Sequence, residues 1–540
     1  MEKSKNTAFL KGTLLLSVSV VITKIIGVAF KVPLSYILGD VGMGYFNTAY
    51  TIYGFFYILC TAGVPKSITL VLTGHGGVCN DEDDRHFVLK SALKLFFIIG
   101  AFVTLINIIC APTLARFIGN KDAVMSIISI APSILFVSMS GAFRGYLGSY
   151  ERLSEIAISQ LFEGVIKLTV GLTLAYIGVR ISAPVYVISA LAISGITVGS
   201  AISFLYLIFT SLFKKTSENT RQKYKINSKD IRKSILKNAL PIALCASLLN
   251  LSTMLDLTMI IKRLVASGES EIYANSLYGN YTTLAIPMFT LVISVLSPVA
   301  TSFMPRLSTL AVRGDTREFG TQLRGLTLVT LLVSVPASLS FFLYSFDLLD
   351  VLFAVNSSAV GADMLISLSL GVCSLTLLTV MNTALESQGK VGVTVFSLLA
   401  GAATKFTVSY LLIGRSGFGI LGAPIGTVIS YTVSLIISLT ALEISGVKTR
   451  SLAMCALNYL IGLAAFLPPY RMIYCSGFFT SSFFAMLISL ALSGVLYIAL
   501  IISCYLIFFR GKCLICTKKH TGGYKNGRFF EKCDEKGCNY

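Results

Sequence analysis

Residues 183–212 read APVYVISALAISGITVGSAISFLYLIFTSL, and residues 213–237, directly after them, read FKKTSENTRQKYKINSKDIRKSILK. The first stretch has no Asp, Glu, Lys or Arg, and the second has nine Lys or Arg. A helix of about 20 mainly apolar residues spans the hydrocarbon of a bilayer. A dense basic segment beside one marks a loop retained on the cytoplasmic side. Outward from this pair, the alternation of long apolar run and short polar connection continues in both directions.

Fourteen runs of this kind are expected to be spans: 8–38, 43–72, 88–114, 123–147, 156–179, 183–212, 237–265, 276–305, 320–345, 362–386, 391–414, 418–443, 451–470 and 479–509. Pro33 and Pro65 interrupt the first two and predict bends there. In lipid the backbone must satisfy its own hydrogen bonds, which leaves helices or a closed barrel. Barrel strands read as short alternating segments, so the long continuous runs read as helices. The composition agrees: 55% of the 540 residues are apolar, 13% are charged and the mean hydropathy is +0.80, against roughly 25% charge in ordinary soluble domains. The expected fold class is an all-α integral membrane protein with about fourteen transmembrane helices.

The net charge of +19 does not point to nucleic acid, because the basic residues are spread over the connections. One side collects Lys3, Lys5, Lys11, the nine cations of 213–237, Arg306, Arg313, Arg317, Arg324, Lys448, Arg450 and those of the tail. The other holds Arg116, Lys121, Arg180, Lys262, Arg263, Arg415 and Arg471. The asymmetry predicts that both termini lie on the cytoplasmic side. The acidic group Asp81, Glu82, Asp83 and Asp84 also falls inside, but acidic residues count little in this rule. The first run is too long for a cleavable signal and carries Lys24 and Lys31 in its middle.

The basic loop splits the chain into halves that match in order. Tyr45–Asn47 aligns with Tyr278–Asn280 and Pro65 with Pro298 at an offset of 233. Lys167–Val170 aligns with Lys405–Val408 at 238, and Ala183–Pro184 with Ala423–Pro424 at 240. The slow drift is what small loop insertions produce. The expected organisation is an N-lobe of six helices over 1–212, the basic cytoplasmic loop 213–237, a C-lobe of six over 238–445, two further helices over 446–509, and a basic, Cys-containing cytoplasmic tail over 510–540. Halves inserted with the same topology are related by a pseudo-two-fold axis along the membrane normal, and substrate sites in such folds lie at the repeat interface.

Ionisable residues inside a span cost about 2.5–3.5 kcal/mol each and mark cavities or partners. Lys24 and Lys31 are two helical turns apart and share a face. Lys167 and Lys405 are equivalent in the repeat. Asp256 lies mid-span in the seventh run, and Glu163 stands one turn before Lys167. One expectation is a cationic cavity in which Lys24, Lys31, Lys167 and Lys405 hold an anionic head group, with Asp256 and Glu163 as counter-charges or ion ligands. The other is local neutralisation, Glu163 with Lys167 at i,i+4 and Asp256 with a lysine of its own lobe.

No catalytic constellation and no Walker loop appears, so no enzyme activity and no cofactor is expected. Six cysteines, among them Cys60, Cys110 and Cys373, lie singly in apolar runs and act as small hydrophobes. The tail's Cys513, Cys516, Cys533 and Cys538 are weak candidates for zinc, their second pair being spaced widely for a knuckle.

Lys24–Gly27, the turn Gly39–Gly44 and the segment Tyr45 to Pro65 resemble the start of the multidrug/oligosaccharidyl-lipid/polysaccharide exporter superfamily. More specific are Phe143-Arg-Gly-Tyr146 followed by Ala157–Glu163, Pro241 with Asp256, and Tyr278–Asn280. Together they resemble its polysaccharide biosynthesis branch, which includes stage V sporulation protein B and MurJ-like lipid II flippases, over roughly 8–445. The resemblance implies two lobes that open alternately around a cationic cavity, two extra C-terminal helices forming a lipid groove, and an undecaprenyl-pyrophosphate-linked sugar as cargo. It implies that Lys24 stands at a cavity arginine position. Two departures stand out: residues 276–305 carry no Lys or Arg where some lipid II flippases have cations, and the eleventh run offers Lys405 where a sodium site would want an acid. A cation-coupled multidrug exporter of the same superfamily is the alternative, disfavoured by the lysines. A membrane-embedded glycosyltransferase or ligase would want carboxylates in sizeable external loops, which are short here. The expected partners are the lipid-linked anionic sugar and membrane lipids, with the protein a monomer.

Overall fold

The computed structural model describes the backbone of residues 2–61, 63–73, 82–150, 152–212, 228–353, 358–415, 417–447, 451–474 and 482–520. Among these residues there is no β-strand. The first part runs α1 (Glu2–Thr61), α2 (Val64–Thr73), α3 (Glu82–Ile118), α4 (Val124–Ser149), α5 (Leu153–Arg180) and α6 (Val185–Leu212). After the basic loop come α7 (Ser228–Ala266), α8 (Glu271–Asn280), α9 (Ile286–Arg313), α10 (Thr316–Leu343), α11 (Ser345–Phe353), α12 (Ser358–Ser369), α13 (Val372–Ser387), α14 (Val391–Leu412) and α15 (Gly422–Ile444). The chain closes with α16 (Ser451–Pro469) and α17 (Ser482–His520). It divides into two compact units, Met1–Cys455 and Ala456–Tyr540.

By length and apolar content, eleven of the described helices can cross a membrane, or twelve when the pair Ala359–Ser369 and Val372–Ser387, bent by 45°, is taken as one span. The expected fourteen are therefore not all met on this measure. It takes α1 as a single helix from Ile25 onward and does not include α7.

α1 is 60 residues long, and a straight helix of that length would extend about 90 Å, three times the hydrocarbon thickness. It doubles back instead. Gly39 adopts φ 62° and ψ −176°, a backbone state open to glycine because no Cβ obstructs it. The Phe30 and Phe46 rings consequently stand 5.8 Å apart, although sixteen residues of straight helix would separate them by about 24 Å. The break in α1 thus falls at Gly39, six residues after Pro33, which lies inside the helix. α1 ends at Thr61 and α2 begins at Val64, so that Pro65 takes the second position of α2 rather than kinking a continuous span. There its missing N–H costs nothing.

In the larger unit, α1 packs against α4, α5 and α6 and also against α7 and α8, while α14 pairs with α15 and α13 packs against α9, α10 and α15. One apolar core runs from Phe30, Leu34 and Phe46 through Ile127, Ile260 and Phe289 to Leu365 and Leu368. Hydrophobic association gives little drive between helices in lipid, so close approach rests on small residues and interhelical hydrogen bonds. Ser203 of α6 donating to the Ser159 carbonyl of α5 at 2.9 Å, and Ser434 of α15 donating to the Ser397 carbonyl of α14 at 2.9 Å, are of that kind.

Candidate functional site

The fold-back of α1 and the start of α9 bring the two halves of the larger unit together. Asn47 Nδ2 donates to Thr283 Oγ1 at 2.7 Å, and Thr51 Oγ1 shares a hydrogen bond of 2.9 Å with the Tyr278 hydroxyl. Asn120 Nδ2 donates to Thr48 Oγ1 at 2.9 Å and to Asn275 Oδ1 at 2.6 Å, and Asn275 Nδ2 donates to the Val41 carbonyl at 3.1 Å. Between α8 and α9, residues Tyr281–Ala285 form a single π-helical turn. Such turns displace a carbonyl from the helical ladder and recur at functional sites. Here the Thr282 carbonyl accepts from Lys31 Nζ at 3.2 Å, and Asn47 Oδ1 lies 3.5 Å from the same nitrogen. The eighth expected span carries no cation of its own. Its backbone instead presents an acceptor to a lysine of the other half.

Lys31 and Lys167 flank one aromatic ring. The Lys31 ammonium stands 6.0 Å from the centre of the Tyr50 ring, and that of Lys167 stands 5.1 Å from it and 5.4 Å from the Phe30 ring. Neither lysine has a carboxylate within ion-pair distance among the described residues. Two ammoniums held on ring faces without a described carboxylate, partly desolvated, attract an anion more strongly than lysines in water do.

Glu163 does not pair with Lys167, as the i,i+4 spacing allows. Its partner is Arg144 of α4, whose Nη2 lies 2.9 Å from Glu163 Oε2 and 3.4 Å from Ser203 Oγ. A planar guanidinium matches a carboxylate better than an ammonium does, and α4, α5 and α6 meet at this point. Arg144 is the intramembrane charge to which the sequence alone assigns no partner. The signal was present, since an arginine inside a span needs a carboxylate and Arg144 belongs to the quoted Phe143–Tyr146 motif.

Lys405 and Asp256 form an ion pair between α14 and α7, with side chains only 18% and 11% exposed. Tyr278, Tyr281 and Tyr431 lie within electrostatic reach of it. The pairing of Asp256 with a lysine of its own half is thus present. The two lysines that the repeat makes equivalent meet opposite surroundings: Lys405 is neutralised by a carboxylate, and Lys167 faces only rings.

The side chains of Lys24, Cys513 and Cys516, and the whole of Cys533 and Cys538, lie outside the described residues. Among the described residues no group of three or more His, Cys, Asp or Glu is placed to hold a metal. Two surface clefts, of about 630 Å³ between the α9–α10 turn and the ends of α13 and α15, and of about 320 Å³ beside Tyr273 and Phe418, are lined by none of Lys24, Lys31, Lys167 and Lys405.

The close approach between the halves at this end depends on two glycines. A Cβ on Gly44 would fall 2.4 Å from Asn275 Nδ2, and one on Gly279 would fall 2.5 Å from the Asp40 carbonyl oxygen. Gly279→Val is therefore expected to push this end apart. A cysteine at the buried position Thr283 should then react several-fold faster with a water-soluble maleimide than in an unchanged background. Equal rates would show that the contact is not what covers Thr283.

Residues 9–311 match the family described as polysaccharide biosynthesis protein. The uncharacterized membrane protein YabM of Bacillus subtilis (strain 168) is 26% identical over 427 residues, covering 78% of this chain and 77% of that protein. Stage V sporulation protein B of the same organism is 22% identical over 428 residues, covering 78% and 80%. Among solved structures, lipid II flippase MurJ in an inward closed conformation superposes with a TM-score of 0.70 at 15% identity, covering 93% of this chain and all of that one. The match to more than half of the chain, with the helical architecture it accompanies, is decisive: the chain belongs to the polysaccharide biosynthesis protein family and shares the fold of the solved MurJ structure.

Proposed function

We propose that the protein is an alternating-access flippase that moves an undecaprenyl-pyrophosphate-linked sugar, lipid II or a polysaccharide repeat unit, from the inner to the outer leaflet of a bacterial plasma membrane. The observation that carries this reading is the pair of ammoniums of Lys31 and Lys167, uncompensated by any described carboxylate, where the two halves meet. A pyrophosphate is the head group that such a pair suits. A cationic drug would be repelled by the same charges. The other intramembrane charges, Arg144 with Glu163 and Lys405 with Asp256, neutralise each other and stand ready as counter-charges when the cargo draws on a lysine.

The lobes of this reading are residues 1–212 and 238–445, joined by the cytoplasmic loop 213–237 and followed by the helices of 446–509 and the cytoplasmic tail 510–540. The protein works as a monomer without a cofactor. Transport without an ATPase motif draws on an ion gradient, the membrane potential or the cargo's own gradient.

Two experiments test the reading. Mass spectrometry of lipid retained by the purified protein should find a pyrophosphate-linked polyprenyl sugar, and recovery of bulk phospholipid alone would count against it. Cysteines placed in 213–237 or 510–540 should escape an impermeant thiol reagent applied to intact cells. Strong labelling of either segment would overturn the orientation.

A further inference from the structure

Four aromatic residues follow one another along the second arm of α1. Phe46 and Tyr50 are stacked with ring centres 6.1 Å apart and planes 15° apart, Tyr50 and Tyr53 stand 6.0 Å apart, and Tyr53 and Tyr57 stand 5.4 Å apart. The spacing of four, three and four residues puts them on one helix face. Their exposure is not uniform. Phe46 is 1% and Tyr53 5% exposed, and Phe30 on the facing arm is 1% exposed, whereas Tyr50 is 37% exposed. Neighbours fix the Tyr50 ring on both sides along the helix, and over a third of the residue stays exposed beside the two ammoniums. Its hydroxyl makes no hydrogen bond among the described residues.

Packing alone does not explain an open, immobilised tyrosine between two ammoniums. A ring that served only the core would be covered like Phe46. A ring that served only to hold cations would not need a free hydroxyl. The open ring is apolar on its face and polar at its tip. A pyranose has the complementary surface, with C–H groups on its face and hydroxyls around its edge. The first sugar of a lipid-linked saccharide is joined directly to the pyrophosphate, so it must lie beside whatever cations hold the phosphates.

Building on the function proposed above, we infer that Tyr50 is the platform for the pyrophosphate-proximal sugar, and so distinguishes a glycosylated carrier lipid from the bare one. In the empty protein the ring shares the Lys31 and Lys167 ammoniums. Pyrophosphate draws both towards its oxygens, which frees the ring face for the sugar next to it. Recognition of phosphate and of sugar is thereby coupled at one side chain. The ring is already held by Phe46 and Tyr53, so little conformational freedom is lost on binding.

The test is a set of binding isotherms on the full-length purified protein with two probes: undecaprenyl pyrophosphate, and the same lipid carrying a single N-acetylhexosamine. Tyr50→Leu is expected to weaken binding of the glycosylated lipid about tenfold more than binding of the bare lipid, the scale of one well-placed aromatic contact. Tyr50→Phe should retain most of the discrimination. Tyr50→Met provides a second ring-free variant should Tyr50→Leu fold poorly. Equal loss for both lipids would show that the ring only positions the lysines, and no loss for either would show that it is not a contact. Each of these overturns the inference while wild-type binding still supports the lipid-linked cargo. A wild-type protein that binds neither lipid would overturn the proposed function, and this inference with it.

Discussion

Replacing Lys31 and Lys167 together by alanine is expected to abolish rescue of a bacterial strain lacking its own lipid-linked sugar flippase, with membrane abundance unchanged. Each ammonium is offered to the cargo as a charge-assisted hydrogen bond, worth about 1.5–3 kcal/mol. Loss of one should lower affinity roughly 10- to 150-fold and loss of both should multiply the effect. Abundance should hold because neither lysine is paired with a described carboxylate, so removing it strands no buried acid. The hydrogen bond from Lys31 to the Thr282 carbonyl is lost, but a π-turn carbonyl can be met by water. Lys24→Ala is expected to act in the same direction if the first arm of α1 presents both lysines to the cavity. Full rescue by the Lys31 and Lys167 double variant would remove both residues from the site.

Asp256 and Lys405 separate structure from transport in a different way. Asp256→Asn or Lys405→Met alone leaves an uncompensated charge between α7 and α14, where breaking a buried pair costs about 3–5 kcal/mol. Each single variant should therefore lose most of its abundance in the membrane. The combination removes both charges and should return abundance close to wild type. Transport should stay low in the double variant if, under the proposed function, the pair acts as a switch in which cargo phosphate takes the lysine and the carboxylate is released to a proton or cation. Uptake of labelled cargo into vesicles, normalised to protein, measures the outcome. Recovery of transport along with abundance would make the pair purely structural and remove Lys405 from the mechanism.

Some of this was open to inspection in the chain itself. The apolar runs locate the helices because leaving water is a local property, set by the side chains of one segment. The intramembrane charges are conspicuous for the same reason, since each costs free energy wherever its helix ends up. Asp256 could be expected to find a lysine of its own half, and it finds Lys405.

The partners of those charges depend on how helices are registered against one another, and sequence spacing does not determine that. Glu163 had Lys167 one turn away on its own helix, but Arg144 on α4 comes closer and offers the better-shaped donor. Lys167 and Lys405 are equivalent in the repeat and unlike in space, because α7 delivers a carboxylate to one while the folded arm of α1 delivers rings to the other. Gly39 reads as one more turn glycine until its reversal brings Phe30 onto Phe46. The sequence by itself determined which segments leave water, where the charges sit along them and which family they match. Only the tertiary structure decided which charges cancel, which have no described carboxylate, and that Tyr50 alone among Phe46, Tyr50 and Tyr53 stays exposed. Hydropathy is a sum over one helix, whereas ion pairing and exposure are set by the distances between several.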